Sequence, residues 1–144
     1  LGLVGALWPL TGRQRDPTAV PGRRAAVALA VGAVAFTVGR FATGGPVAAH
    51  PLLFRLLVLN ALAAVAEEAF FRRMLYGALL PRGQTVAIVG SAVAFAAVHA
   101  WVWGLWVLPL DLAAGLLLSW QRAASGRWSV PAATHVFANS LALV

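Results

Sequence analysis

The chain is organised around one stretch, Val65-Ala66-Glu67-Glu68-Ala69-Phe70-Phe71-Arg72-Arg73, in which charged residues interrupt a long apolar run. The 144 residues contain only four acidic side chains, so two adjacent carboxylates in this place require a reason. An ionisable side chain inside a bilayer costs at least ~2.5 kcal/mol on insertion scales, and it usually marks a functional site or a partner. Glu67 and Glu68 are therefore the first candidate functional residues.

The composition around this stretch is that of an integral membrane protein. Hydrophobic residues make up 61% of the chain and charged residues 10%, whereas soluble domains carry about 25% charged residues. At roughly 20 residues per span, the sequence predicts an all-α fold, a polytopic membrane helix bundle of about five to six helices. The absence of cysteine excludes disulfides, thiolate metal sites and a cysteine nucleophile.

Apolar runs bounded by proline, glycine and arginine predict where the helices lie. Residues 1–10 are apolar but too short to span alone, and their assignment to a span stays open. Polar connections are expected at 11–24 and at 42–51, where His50 is expected to be a solvated surface residue. The predicted helices are Ala25–Phe41, Leu52–Leu80, Thr85–Trp103, Leu105–Arg122 and Val130–Val144.

The basic residues predict the orientation of these helices. All eleven are arginines, which indicates a GC-rich bacterial genome. Most lie in or beside three connections, at 11–24, 81–84 and 122–129, so membrane anchoring explains the net charge of +7 better than nucleic-acid binding. The positive-inside rule makes these connections cytoplasmic and places the C-terminus outside a bacterial cytoplasmic (inner) membrane. Arg40 and Arg55 depart from this pattern, because they flank the connection at 42–51, which the rule places on the outer side.

The spacing of the charged residues predicts different roles for Glu67 and Glu68. On an α-helix Glu68 and Arg72 stand at i and i+4, so they share a face and can pair. Glu67 is turned about 100° away from Glu68 and cannot use the same arginine to the same degree. Glu67 is then the carboxylate available as a general base. The alternative is that these charges form only a structural ion pair between helices.

Two further apolar helices carry polar groups: His99 on one, and His135 with Asn139 one turn later on the other. Each alone is as well explained by a hydrogen bond between helices. Because polar side chains facing lipid are unfavourable, we expect all of them to meet Glu67 inside the bundle. A carboxylate and an imidazole can then deprotonate a water, while a second imidazole and a carboxamide stabilise the oxyanion formed at a peptide carbonyl.

The same groups offer a metal site as an alternative, with two histidines and one glutamate as ligands. No HExxH motif is present, and an amide is a poor fourth zinc ligand, so the metal-free version is favoured and no cofactor is expected. If a divalent metal such as zinc binds, its ligands are predicted to be Glu67, His99 and His135.

The other polar residues have simpler interpretations. Asp111, close to Pro109, is predicted to cap a helix or to lie at an interface. A serine nucleophile is not expected, because none of the serines within the predicted helices has the sequence context of a nucleophile elbow: Ser91, Ser119 and Ser140. Since His135 follows Ser129 closely, it can reach the depth of Glu67 only through tilt, a partial span or a re-entrant segment.

Three ordered motifs give the chain a family resemblance: Glu67-Glu68-x-x-x-Arg72, Phe95-x-x-x-His99 and His135-x-x-x-Asn139. Together they resemble the signature of the CPBP intramembrane proteases, the group that contains CAAX prenyl endopeptidases and bacteriocin-processing or self-immunity proteins. The resemblance covers about residues 52–144. This chain has Arg73 where many members of the family have glycine.

The resemblance implies an intramembrane endopeptidase acting on a membrane-associated peptide or protein. Glu67 and His99 would handle the water, His135 and Asn139 would stabilise the oxyanion, and Glu68 with Arg72 would support the site. Residues 52–144 would form the catalytic core, and residues 1–51 an N-terminal segment with a loop and the first full membrane helix. The alternative is a non-enzymatic membrane protein, a partner-binding, proton-relaying or immunity protein that uses the same polar cluster.

Overall fold

The computed structural model describes residues 22–44 and 51–143, which form five helices and no strand. The predicted all-α fold is confirmed. The predictions for residues 1–21, for the connection that holds His50 and for Val144 lie outside the described residues. The helices are α1 (Gly22–Thr43), α2 (the α-helix Leu53–Glu68, the π-helix Ala69–Leu75 and the helical turn Tyr76–Leu79), α3 (Gln84–Trp103), α4 (Leu108–Ser125) and α5 (Ser129–Leu143).

Helix boundaries differ from the predictions by a few residues. Helix α1 begins at Gly22, so Arg23 and Arg24 belong to its first turn and not to the predicted loop. Short 3-10 turns, Leu80–Arg82 and Leu105–Val107, precede α3 and α4. Glycines with positive φ flank α3: Gly83 (φ 115°) directly precedes the helix and Gly104 (φ 95°) directly follows it. Both adopt a backbone conformation that L side chains rarely tolerate.

Two of the helices are long and apolar enough to cross a membrane, at Gly22–Ala42 and Gln84–Trp103. At the end of the second, Trp101 is 91% exposed and Trp106 is 78% exposed. Aromatic side chains in this position are typical of a membrane interface.

The middle of α2 is not a regular α-helix. The π-helical segment Ala69–Leu75 begins directly after Glu68 and holds the motif residue Arg72 and its neighbour Arg73. Phe71 and Arg72, although adjacent in sequence, are both buried there. Short π segments inside α-helices occur frequently at functional sites. The sequence predicted an uninterrupted α-helix because this segment contains neither glycine nor proline.

Helices α3 and α4 approach each other closely at Gly115. A Cβ atom added to Gly115 would lie 3.1 Å from both the Cα and the carbonyl oxygen of Ala92. One turn further along, the hydroxyls of Ser91 and Ser119 are 2.9 Å apart in a buried hydrogen bond. Small residues that let helix backbones meet are the usual means of helix association in membranes.

Helix α1 is fixed to α4 and α5 through one buried amide. Gln121 donates from Nε2 to the carbonyl oxygen of Ala28 (2.7 Å) and to Oγ1 of Thr134 (2.9 Å). Gly32 makes room for this contact, because a Cβ atom at that position would collide with Gln121 and Thr134. The three helices are therefore joined by a hydrogen-bonded contact as well as by apolar packing.

The position at which α5 starts brings His135 level with Glu68, with which it forms a hydrogen bond. The turn between α4 and α5 lies beside the middle of α2, where the Arg73 guanidinium stands 5.7 Å from the Trp128 ring centre. The turn between α2 and α3 lies seven residues, about 10 Å, further along the chain from Arg73. Helix α5 therefore starts partway along the bundle, beside the middle of α2. Arg73, the residue that departs from the motif, packs against this turn.

The contact at Gly115 predicts a stability effect. Gly115→Ala should destabilise the protein by about 1–3 kcal/mol, because the backbone of Ala92 must move to admit the methyl group. Gly77→Ala is the matched control, because a Cβ there meets no atom within 4 Å and alanine favours a helix over glycine. Thermal unfolding in detergent should give a lower Tm for Gly115→Ala and an unchanged or higher Tm for Gly77→Ala. Equal Tm values would contradict the close approach.

Candidate active site

A cavity of about 690 Å³ lies among the five helices. Each helix contributes side chains to its wall, and the polar ones come from all five. The predicted site residues Glu67, His99, His135 and Asn139 all line it. The structure therefore brings together four groups that are up to 72 positions apart in sequence, 139 minus 67.

A buried ion pair supports one side of the cavity. Arg72 donates from Nη1 to Oε1 of Glu68 at 2.8 Å, and both side chains have no solvent exposure. Arg72 also donates from Nη2 to the carbonyl oxygen of Gly115 at 3.1 Å, and its guanidinium stands 4.6 Å from the Phe95 ring centre. Guanidinium groups bind favourably to both carboxylates and aromatic faces. The ion pair thus links α2 to α3 and α4.

The two adjacent carboxylates have different environments, as their helical spacing predicts. Glu68 is fully buried, whereas the side chain of Glu67 is 31% exposed and borders the cavity. Oε1 of Glu68 is shared, because it also accepts a hydrogen bond from Nδ1 of His135 at 3.0 Å. Glu68 therefore holds both Arg72 and His135, while Glu67 faces the open space.

Both imidazoles have their Nδ1 atoms occupied. Nδ1 of His99 lies 2.9 Å from the carbonyl oxygen of Phe95, which can only accept, so Nδ1 carries the hydrogen. Nδ1 of His135 donates to Glu68 in the same way. The Nε2 atoms then point at the same carboxylate oxygen, Oε2 of Glu67, at 3.7 Å from His99 and 3.8 Å from His135. In the neutral imidazoles each Nε2 is a lone-pair acceptor.

These distances are too long for direct hydrogen bonds but suit an intervening small molecule. Polar atoms 3.7–3.8 Å apart commonly interact through a bridging water. Asn139, one turn beyond His135, faces the same cavity, and its Nδ2 atom lies 3.5 Å from the carbonyl oxygen of Asn60. The arrangement can hold and activate a water between a carboxylate and an imidazole, with a carboxamide beside them.

A family model described as Type II CAAX prenyl endopeptidase Rce1-like matches residues 48–141. The chain belongs to this family. No curated protein and no solved structure gave a match. The predicted family resemblance is confirmed, and the chain is accordingly a membrane-associated protease of the CAAX type. The match includes α2 to α4 and nearly all of α5, but it leaves out α1, which contributes to the same cavity.

The side chains predicted to hold a metal, if one binds, all border the cavity: Glu67, His99 and His135. Within residues 22–44 and 51–143, no group of three or more His, Cys, Asp or Glu side chains meets the geometry of a preformed metal site. Metal dependence stays a prediction.

Three polar residues of the cavity were missed by the sequence analysis: Arg40 on α1, Asn60 on α2 and Asp111 on α4. Asp111 was predicted to cap a helix or to lie at an interface; the capping alternative is wrong, because the N-cap of α4 is Val107 and no side chain caps the helix. The sequence did contain a signal that could have identified Asp111, because it lies one turn into an apolar helix. An ionisable side chain in an apolar helix usually marks a functional site, and this argument, used for Glu67, applies equally to Asp111. Arg40 was interpreted only as an exception to the orientation rule.

The buried ion pair predicts a large stability effect in this Rce1-like core. Arg72→Met should destabilise the protein by about 3–5 kcal/mol, because Glu68 is left as an uncompensated buried charge. The double variant Glu68→Gln with Arg72→Met should recover part of the loss, because the glutamine is neutral and still accepts from His135. Tm values in detergent measure both effects. A single variant as stable as the parent, or a double variant less stable than the single one, would contradict this role.

Proposed function

We propose that the chain is an intramembrane endopeptidase that hydrolyses a peptide bond with a water activated by Glu67 and His99. The observation that supports it is the convergence of two imidazole Nε2 atoms on one carboxylate oxygen, at 3.7 and 3.8 Å, on the wall of a cavity. Membership in the Rce1-like family supports the same class of reaction. The substrate is a membrane-associated peptide or protein.

The first step is attack by water. Oε2 of Glu67 and the Nε2 lone pair of His99 are both acceptors, so a water between them donates both of its hydrogens and turns its lone pairs toward a substrate carbonyl. Glu67 takes one proton as the water oxygen bonds to the carbonyl carbon, and a tetrahedral oxyanion forms. That proton then passes to the leaving amine as the carbon–nitrogen bond breaks.

The second requirement is a donor for the oxyanion. His135 can donate from Nε2 only as an imidazolium, because its Nδ1 hydrogen is already directed at Glu68. The hydrogen bond to Glu68 fixes the orientation of the ring, so a hydrogen on Nε2 would be directed at the cavity. The Nδ2 group of Asn139 supplies a second donor from the next turn of α5. Glu68 and Arg72 are thus positioning residues.

A non-enzymatic role uses the same cavity differently. A partner-binding or immunity protein would need the shape and charge of the polar cluster but no proton transfer. Replacing Glu67 with glutamine preserves shape and hydrogen bonding while it removes the base, so this substitution separates the two functions. Binding that survives Glu67→Gln, with no peptide cleaved by the parent protein, would establish the alternative.

The catalytic proposal predicts the effect of two substitutions. Glu67→Gln and His99→Ala should each lower kcat by about 10²- to 10⁴-fold, the usual contribution of a general base. Ser140→Ala is the control, because its hydroxyl only bonds the carbonyl of Val136 in the same helix. The substrates are two synthetic peptides ending in cysteine, two aliphatic residues and one further residue, the first farnesylated on the cysteine and the second carrying an N-terminal acyl chain.

Mass spectrometry of the products from protein reconstituted in vesicles measures turnover and locates the cut. Turnover that is unchanged in Glu67→Gln would contradict the proposal. The proposed metal-free chemistry requires that dialysis against a chelator leaves kcat unchanged. Loss of activity that zinc restores would replace it with a metal-dependent mechanism at Glu67, His99 and His135.

We further propose a bacterial inner-membrane location with the C-terminus outside. The exposed residue Arg127 in the α4–α5 turn would face the cytoplasm, and Trp106 would face outward at the opposite end of α4. Because the chain has no cysteine, single replacements report directly on their own positions. In intact cells an impermeant maleimide should label Trp106→Cys but label Arg127→Cys only after permeabilisation. The opposite pattern would reverse the orientation.

A further inference from the structure

The wall of the cavity contains a carboxylate that the proposed mechanism does not use. Asp111 lies on α4 and is partly exposed. It shares one face of that helix with two apolar wall residues at i+3 and i+7, Ala114 and Leu118. Its carboxylate forms neither an ion pair nor a hydrogen bond with any residue that the structure describes. An ionised side chain in a membrane helix is costly unless another group compensates its charge.

The contact between α3 and α4 places Asp111 near the depth of the catalytic groups. These two helices run antiparallel and meet at Ala92 and Gly115. Asp111 stands four residues from Gly115, about 6 Å, and His99 stands seven residues from Ala92, about 10 Å, both toward the same end of the bundle. Their positions along the bundle therefore differ by only about 4 Å. Asp111 also interacts electrostatically with His99 and His135.

The other charged side chains of the described wall already have partners. Glu67 faces the Nε2 atoms of both histidines, and Arg40 donates from Nε to the carbonyl oxygen of Leu141. Within the part of the wall that the structure describes, Asp111 is therefore the charge that a ligand could compensate. In a water-poor cavity a carboxylate attracts a cation more strongly than it would in water.

An aromatic side chain borders the route to this carboxylate. Phe95, His99 and Trp103 recur every four residues, so they form one face of α3 along the cavity. Trp103 ends this row at the last residue of the helix, and it is 63% exposed. A ligand that enters past Trp103 meets an indole ring, and the faces of such rings attract cations. The ring and the carboxylate therefore favour the same kind of group.

From this arrangement we infer that Asp111 is a specificity-determining residue that binds the cationic side chain of a substrate lysine or arginine. Ammonium and guanidinium groups donate several hydrogen bonds, and a carboxylate accepts them strongly. An endopeptidase cleaves within a chain, so the groups beside the scissile bond are side chains. The similar depths of Asp111 and His99 place the basic residue within about two residues of the cut. The inference rests on the proposed peptidase function and adds this preference to it.

The test uses whichever peptide the protein cleaves in the assay above, once mass spectrometry has located the cut. Lysine is placed in turn at each unmodified position within about two residues of that cut, and norleucine and acetyl-lysine are its neutral counterparts. At one of these positions the parent protein should cleave the lysine peptide with a kcat/KM about 10- to 100-fold above that of the norleucine peptide, the usual effect of a hydrogen bond to a charged group. Acetyl-lysine should behave as norleucine does, because acetylation removes the charge.

Substitutions at Asp111 should then remove this preference. Asp111→Asn should bring the ratio of lysine to norleucine cleavage close to one, and Asp111→Glu should keep part of it because the charge remains. Gln84→Lys is the matched control, because it raises the net charge by one as Asp111→Asn does. Gln84 is exposed at the start of α3 and is not part of the cavity wall, so this variant should keep the parent ratio. Each ratio is measured within one protein preparation, so a lower folded fraction in one variant does not change it.

Four results would overturn the inference while Glu67-dependent cleavage by the parent protein continues. The parent protein could cleave the lysine and norleucine peptides equally at every position, or Asp111→Asn could keep the full preference. A preference that acetyl-lysine shares would mean that side-chain length and not charge is selected. A folded Asp111→Asn variant that cleaves neither peptide would assign Asp111 to the reaction itself. Absence of all Glu67-dependent cleavage would instead overturn the peptidase proposal.

Discussion

The ion pair between Glu68 and Arg72 is buried without any exposure to solvent, and groups from three other helices contact it. Oε2 of Glu68 and Nε of Arg72 are buried without a hydrogen-bond partner among the described residues. Removing two charges from water carries a large desolvation penalty, which is offset only when each charge has several well-placed partners. Arg72 has a carboxylate, a carbonyl of α4 and the face of Phe95. Glu68 has Arg72 and His135. These partners come from α3, α4 and α5, so the pair determines how those helices surround α2.

The same interaction assigns different tasks to two adjacent carboxylates. Because Glu68 is committed to Arg72 and His135, Glu67 is turned to the cavity and meets the Nε2 atoms of both histidines. The π-helical segment that begins just after Glu68 places the arginine in the core. Stability and the proposed chemistry therefore depend on adjacent residues of one helix. The buried pair of Glu68 and Arg72 stabilises the bundle, and it also holds Glu67 in position at the cavity.

The cavity is completed by α1. Helices α2 to α5 supply the carboxylates and imidazoles of the wall, and α1, joined to α4 by the hydrogen bond from Gln121 to Ala28, adds Phe36 and Arg40. The family match covers α2 to α4 and nearly all of α5, so α1 is the one helix of the described bundle that contributes to the cavity from outside the matched residues.

Local sequence determined much of this protein. The apolar composition was sufficient to predict a membrane helix bundle. The i, i+4 spacing of Glu68 and Arg72 was sufficient to predict which carboxylate is paired, because that pairing depends only on the order of residues and the pitch of one helix. Only the tertiary structure decided the depth of His135, the π-helical turn, and the positions of Asp111 and Arg40 on the cavity wall. Those features depend on where separate helices start and how closely they pack. Such contacts join residues distant in sequence, and no local pattern encodes them.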